Sequence, residues 1–505
     1  MSHKNKLIIT NTMFLATRTI VSLCISFYTT RIVLHQLGVS DFGLYSVIYG
    51  VVGFFIFIVS AMNDSVQRFI SVNLDGDDVQ IIKNTFKNSL LIYISMGVVL
   101  LFLLYLFSDI VVLRLLNIQQ EAIHSAKVIY LIALLSIFIS IVQTPFNALV
   151  LAHEKMSFYA YMTIFDSISK LLVSFLIVVI NYDKIVVYSV LLFITTLLVF
   201  FIYITYCYAN FKKDMFGGKI NLVILKEISM FSFWNVFGNF SYVCRTQGIN
   251  IAINIFFATT VNAAYAISTT VLNAINSLTQ SLITAIKPQI FKTFADNNSS
   301  RYTLLINNGA KFSFSLLFVL SCPILVSANK LLSLWLVDIP PLTTGFVRFI
   351  IIVSLIDSFS SSLITGIQAT GRIKVYQLIV GFFVFISLPI TFLLYHLGFS
   401  VYSTFIPLII TSVVNLILRL YFITHLTMFS LSLYLRKVVF PCVLSAFISI
   451  SIAFLIEFNV VYSNVINILF FSFLYSMLSF FVFFALIVTL EEKKVCFNYV
   501  LGKLK

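Results

Sequence analysis

Charged residues are scarce in this chain. Asp, Glu, Lys and Arg make up 10% of its 505 residues, where soluble domains carry roughly 25%. No polar stretch exceeds about 25 residues, which leaves no room for a separate soluble domain. The six cysteines (Cys24, Cys207, Cys244, Cys322, Cys442, Cys496) form no CxxC pair, so neither a disulfide framework nor a metal site is expected. The six histidines show no metal-ligand spacing. There is no Walker A, GxSxG or HExxH pattern, so neither ATP hydrolysis nor these hydrolase and metalloprotease chemistries are expected, and no cofactor.

What remains is apolar. Hydrophobic residues make up 60% of the chain and its mean hydropathy is +1.05. These values mark an all-α polytopic membrane protein. The formal net charge of +14 would suggest nucleic acid in a soluble protein. Here it follows from cations gathered in alternate loops, and nucleic acid is not an expected partner.

Windows long enough to cross a bilayer begin with 9–36 and 44–66 and continue to 441–458 and 465–490, about fourteen in all. Placing the N-terminus inside puts roughly two thirds of the 32 Lys and Arg on the cytoplasmic side. Both termini are therefore expected in the cytoplasm. The start SHKNK lacks a short apolar region with a cleavage site, so the first helix is expected to be retained. The basic loop 209–228, with Gly217-Gly218, is the expected hinge between an N-lobe of six helices (1–208) and a C-lobe of six (229–426). Two more helices and a tail follow (427–505). SVQRFISVNLDGDD (65–78) and KPQIFKTFADNN (287–298) stand at equivalent places in the two lobes and suggest duplication.

Polar residues recur at helical spacing in three windows. The first set is Asn11, Arg18, Ser22 and Thr29. The second is Asn235, Asn239, Tyr242, Thr246 and Asn250. The third is Thr269, Asn273, Asn276, Gln280 and Thr284. One such residue is commonly an interhelical hydrogen bonder; three stripes predict a wet cavity. Charges also enter the windows. Arginine at mid-depth costs about 2.5–3.5 kcal/mol or more unless it meets water, protein or an anion. Five cations (Arg18, Arg31, Lys170, Arg245, Arg419) face two carboxylates (Asp166, Asp357), a surplus of three. Arg31 and Arg419 lie near enough to window ends to snorkel. Asp166 and Lys170 stand at i, i+4 and can pair. Asp357 can titrate, coordinate a coupling cation or pair with Arg245, and Asp166 is the other coupling-ion candidate. The cationic surplus favours an anionic ligand, and arginine suits phosphate through its fork of donors.

The opening NTMFLATRTIVSLCISFYTTRIVLHQLGVSDFGLYSVIYG, followed by SVQRFIS, resembles the polysaccharide-biosynthesis flippases of the MATE-like superfamily, the Wzx-type repeat-unit flippases of O-antigen synthesis. The arginines of the first window, the turn LGVSDFGLY and Gln67-Arg68-Phe69 carry the likeness, with TGRIK (370–374) in support. The resemblance implies two six-helix lobes around a cavity that receives the head of an undecaprenyl-diphosphate-linked oligosaccharide. The two helices beyond the twelve resemble those of the lipid II flippase branch. The resemblance also implies a place in the bacterial cytoplasmic (inner) membrane beside other polysaccharide-assembly proteins and membrane lipid.

The function expected is translocation of that lipid-linked glycan by alternating access, without enzymatic activity. Arg18 and Arg245 are then expected to hold the diphosphate, with Arg31, Lys170 and Arg419 nearby. Asn239, Asn273, Asn276 and Gln280 would face the sugars. Two rivals remain. A MATE-type cation-coupled drug antiporter needs a net negative cavity. A glycan polymerase or ligase needs a large outer loop, whereas the longest here is about Ser108–Ser125.

Overall fold

The computed structural model describes residues 3–53, 55–74, 79–112, 122–179, 183–257, 259–335, 339–459 and 464–488. Some side chains of the first helix, those of Asn11 and Arg31 among them, lie outside the described set, as do Cys496 and the tail.

Helices dominate, and no strand occurs among the described residues. In chain order they are α1 His3–Gly53, α2 Ile56–Asn73, α3 Val79–Leu106, α4 Ile123–Ala152, α5 Met156–Val179, α6 Lys184–Met215, α7 Leu222–Phe256, α8 Thr259–Ala295 and α9 Ser299–Trp335. They continue with α10 Thr343–Ala369, α11 Lys374–His396, α12 Val401–Leu426, α13 Leu431–Asn459 and α14 Val465–Leu486. Ten of them are long and apolar enough to span a bilayer, which makes this a multi-pass membrane protein. The expected turn at 37–45 is different: α1 runs through it and ends at Gly53. That segment contains no proline, so nothing in it forces a helix to stop.

The chain forms two compact units, Asn11–Phe240 and Ser241–Lys505 with Met1–Thr10. The dividing point falls inside α7. In the N-terminal unit α4 is the hub, packed against α2, α3 and α6. The buried Tyr93 hydroxyl donates to the Met62 carbonyl at 2.7 Å, tying α3 to α2.

The expected hinge loop is strapped to α3. Gln80, Asn84 and Asn88 stand at i, i+4 and i+8, on one helix face. Gln80 Nε2 donates to Gly217 O (3.0 Å) and Lys219 N donates to Asn84 Oδ1 (2.7 Å). Asn88 donates to Lys219 O (3.3 Å) and accepts from Asn221 N (3.2 Å). Gly217 has φ +85°, a conformation that favours glycine. Asn221 Oδ1 then accepts from Val223 N (2.9 Å), capping α7.

In the C-terminal unit α9 is the hub, against α8, α10, α13 and α14. Ser362 Oγ donates to Ile306 O (2.8 Å) and Tyr302 to Gly366 O (3.0 Å), joining α9 and α10. α10 breaks at Phe359–Ser360, and Tyr434 donates to the Phe359 carbonyl at 2.7 Å. α9 kinks at Ser327, one turn after Pro323. Around that kink Glu457 of α13 accepts from Ser327 Oγ (2.9 Å), Lys330 Nζ (2.8 Å) and the Tyr475 hydroxyl of α14 (2.7 Å). One carboxylate thus fastens the last two helices to the hub. Lys311 is 4% exposed within α9. Its helix starts at Ser299, twelve residues earlier, and carries it into the packed unit.

Candidate functional site

A cleft of about 560 Å³ lies within the N-terminal unit, between α1, α5 and α6. Its volume falls in the usual range for small-molecule sites. Arg18, Ser22, Ser26 and Thr29 of α1 face it, so the polar stripe of the first helix lines one wall. Thr163, Asp166, Ser167 and Lys170 of α5 line another, with Tyr45 and Tyr188 completing it. The spacing of the α5 set puts it on one helix face. The Ser22 and Ser167 hydroxyl oxygens lie 3.1 Å apart across the two helices, within hydrogen-bond distance. Thr29, Thr163 and Ser167 also donate to carbonyls of their own helices at 2.9 Å, which satisfies hydroxyls away from bulk water.

The two cations of this cleft are in different states. Lys170 Nζ sits 2.6 Å from Asp166 Oδ2, so the i, i+4 pair expected from the sequence forms. Arg18 has no carboxylate at ion-pair distance among the described residues. Its Nη2 donates weakly to Thr19 Oγ1 at 3.4 Å, and its buried Nε has no hydrogen-bond partner there. The cleft therefore carries one unbalanced positive charge, on a side chain with unused donors.

The C-terminal unit holds the other deep arginine. Arg245 is 6% exposed and its Nη2 lies 3.5 Å from Asp357 Oδ2. Burying a charge demands such a partner. Asn276 accepts from Ser354 Oγ at 3.0 Å, joining α8 to α10. Asn273 and Gln280 are exposed, Asn239 is half-buried in α7, and Arg419 is half-buried in α12. The Arg31 side chain lies outside the described residues.

Sequence reasoning missed two features. Tyr159, Thr163 and Ser167 extend the Asp166–Lys170 face of α5, a spacing visible in the sequence but overlooked beside the charges. Glu457 was left out of the interior charge count because it stands near the end of its window. Its partner Lys330 stands within α9.

Residues 8–294, more than half of the chain, match the family described as "Polysaccharide biosynthesis protein". No curated protein matches the chain. Among solved structures it is similar to MATE in complex with MaD3S, at 12% identity and a TM-score of 0.72, covering 84% of this chain and 99% of that one. An outward-facing multidrug resistance MATE family transporter of the MOP superfamily is similar at 11% identity and a TM-score of 0.72, over 84% and 98%. A MOP superfamily transporter from Pyrococcus furiosus, described by a binding pocket of reverse polarity that suggests a different function, is similar at 13% and 0.70, over 86% and 99%. At these identities the likeness is one of fold, and the fold is the MATE type. By the match over its first 294 residues, this chain belongs to the polysaccharide biosynthesis protein family.

Proposed function

We propose that this protein is a flippase that moves an undecaprenyl-diphosphate-linked oligosaccharide across the bacterial cytoplasmic membrane by alternating access. The observation that carries this reading is Arg18. It is a half-buried guanidinium with unused donors, facing a cleft lined with hydroxyls and lacking a protein counter-charge among the described residues. A diphosphate supplies the missing anion, and the fork of donors matches it. Serine and threonine hydroxyls along α1 and α5 offer partners for sugar hydroxyls, while the polyprenyl tail stays in lipid.

Arg245, Arg31, Lys170 and Arg419 belong to the same proposal as further cations on the cargo's route, and Asn239, Asn273, Asn276 and Gln280 as sugar contacts. Both candidate coupling carboxylates are already engaged, Asp166 by Lys170 and Asp357 by Arg245. That favours an anionic cargo over the cationic drug of an antiporter. Outward movement of an anion is assisted by an inside-negative potential, at about 2.3 kcal/mol per charge per 100 mV, which provides a driving force without ATP.

The test is a strain lacking this protein, examined for lipid-linked oligosaccharide held on the inner leaflet. Accumulation that the wild-type gene relieves supports the reading. Normal surface glycan without the protein contradicts it.

A further inference from the structure

Each deep arginine lies against a tyrosine ring. The Arg18 Cζ atom is 5.0 Å from the Tyr159 ring centroid, and Arg245 Cζ is 5.0 Å from that of Tyr242. Both are within cation–π range. The two settings differ in what else holds the guanidinium. Arg245 also has Asp357. Among the described residues, Arg18 has a long hydrogen bond to its chain neighbour Thr19 and no carboxylate. The ring of Tyr159 thus lies against a guanidinium that has no carboxylate partner among the described residues.

Tyr159 is well placed to hold a side chain still. It stands in the first turn of α5, just below Thr163 on the cleft face, and packs against the apolar core of the unit. Phe158 beside it stacks on Tyr206 of α6, with centroids 3.5 Å apart. A guanidinium that rests on an aromatic ring keeps its N–H groups at the edge of the plane, free to fork onto two oxygens. An ammonium has no plane to orient.

We propose that Tyr159 is a positioning residue that holds the Arg18 fork toward the cleft and so sets its selectivity for a bidentate phosphate anion. This rests on the reading of Arg18 as the anion receptor, and the experiment separates the two. The full-length protein in lipid nanodiscs is titrated calorimetrically with inorganic pyrophosphate. Wild type, Arg18→Ala, Arg18→Lys, Tyr159→Phe, Tyr159→Leu and the Arg18→Lys/Tyr159→Leu double variant are compared.

Tyr159→Phe keeps the ring and is expected to bind as wild type does. Tyr159→Leu is expected to weaken binding about fivefold, and Arg18→Lys by a similar factor. The double variant is expected to be no weaker than the weaker single, because an ammonium gains nothing from the seat. Wild-type affinity in Tyr159→Leu, fully multiplicative losses in the double, or a Tyr159→Phe as weak as Tyr159→Leu each overturns the positioning role. Wild-type affinity in Arg18→Ala, or no binding by wild type, overturns the receptor reading beneath it. If Tyr159→Leu does not fold, Tyr159→Trp replaces it: retained affinity supports an aromatic seat, and affinity as low as that of Arg18→Ala refutes it.

Discussion

Gly218→Ala should release the strap that fastens the loop before α7 to α3. A Cβ at Gly218 would lie 2.3 Å from the Lys83 carbonyl oxygen, 2.7 Å from its carbon and 3.2 Å from Asn84 N. All three are backbone atoms of α3, which packs on both α4 and α6 and cannot recoil as a side-chain tip can. The loop must lift instead. Lifting it opens the bonds from Gln80 to Gly217, Lys219 to Asn84, Asn88 to Lys219 and Asn221 to Asn88. Each is worth about 0.5–1.5 kcal/mol. Most are partly solvated, so the low end applies, and the total is about 2 kcal/mol. That corresponds to roughly thirtyfold in the opening equilibrium. Amide hydrogen exchange at Lys219 and Asn221, read by mass spectrometry on protein in nanodiscs, is the assay. Gly218→Ala should speed exchange about thirtyfold, and Asn84→Ala, which removes the 2.7 Å acceptor, about twofold. Unchanged exchange in Gly218→Ala would show that the strap does not hold this segment in solution.

Other variants address the polar nodes. Glu457→Ala strips Ser327, Lys330 and Tyr475 of their common acceptor and should cost about 2–3 kcal/mol, read as a fall in melting temperature; Lys330→Gln should cost less. Asp357→Asn leaves the buried Arg245 without its carboxylate and should destabilise by about 2–3 kcal/mol, with Arg245→Met in the same background recovering most of it. Asp166→Asn should impair glycan export by freeing Lys170, and a double Asp166→Asn/Lys170→Gln change should largely restore it if the pair is structural. A double variant as inactive as Lys170→Ala would instead make Lys170 a cargo contact.

Much of this architecture was legible in the sequence because bilayer thickness fixes helix length. The helix count and the stripe Arg18, Ser22, Thr29 follow from apolar windows and the 3.6-residue period. The Asp166–Lys170 pair follows from i, i+4 spacing alone. Tertiary contacts decided the rest. Gln80, Asn84 and Asn88 form an ordinary amide stripe until a loop 130 residues away lies across it. Glu457 reads as a helix-end charge until a kink in α9 presents Ser327 and Lys330 to it. Nothing local marks Tyr159 as a seat for Arg18, since the two are brought together by the packing of α5 on the first helix.

The central claim is that Arg18 receives the diphosphate of a lipid-linked glycan. Its most direct measurement is translocation of a fluorescent undecaprenyl-diphosphate oligosaccharide in proteoliposomes holding wild type or Arg18→Ala at equal, correctly inserted levels. Loss of translocation in Arg18→Ala, with partial recovery in Arg18→Lys, is the expected result; translocation by Arg18→Ala at the wild-type rate would contradict it.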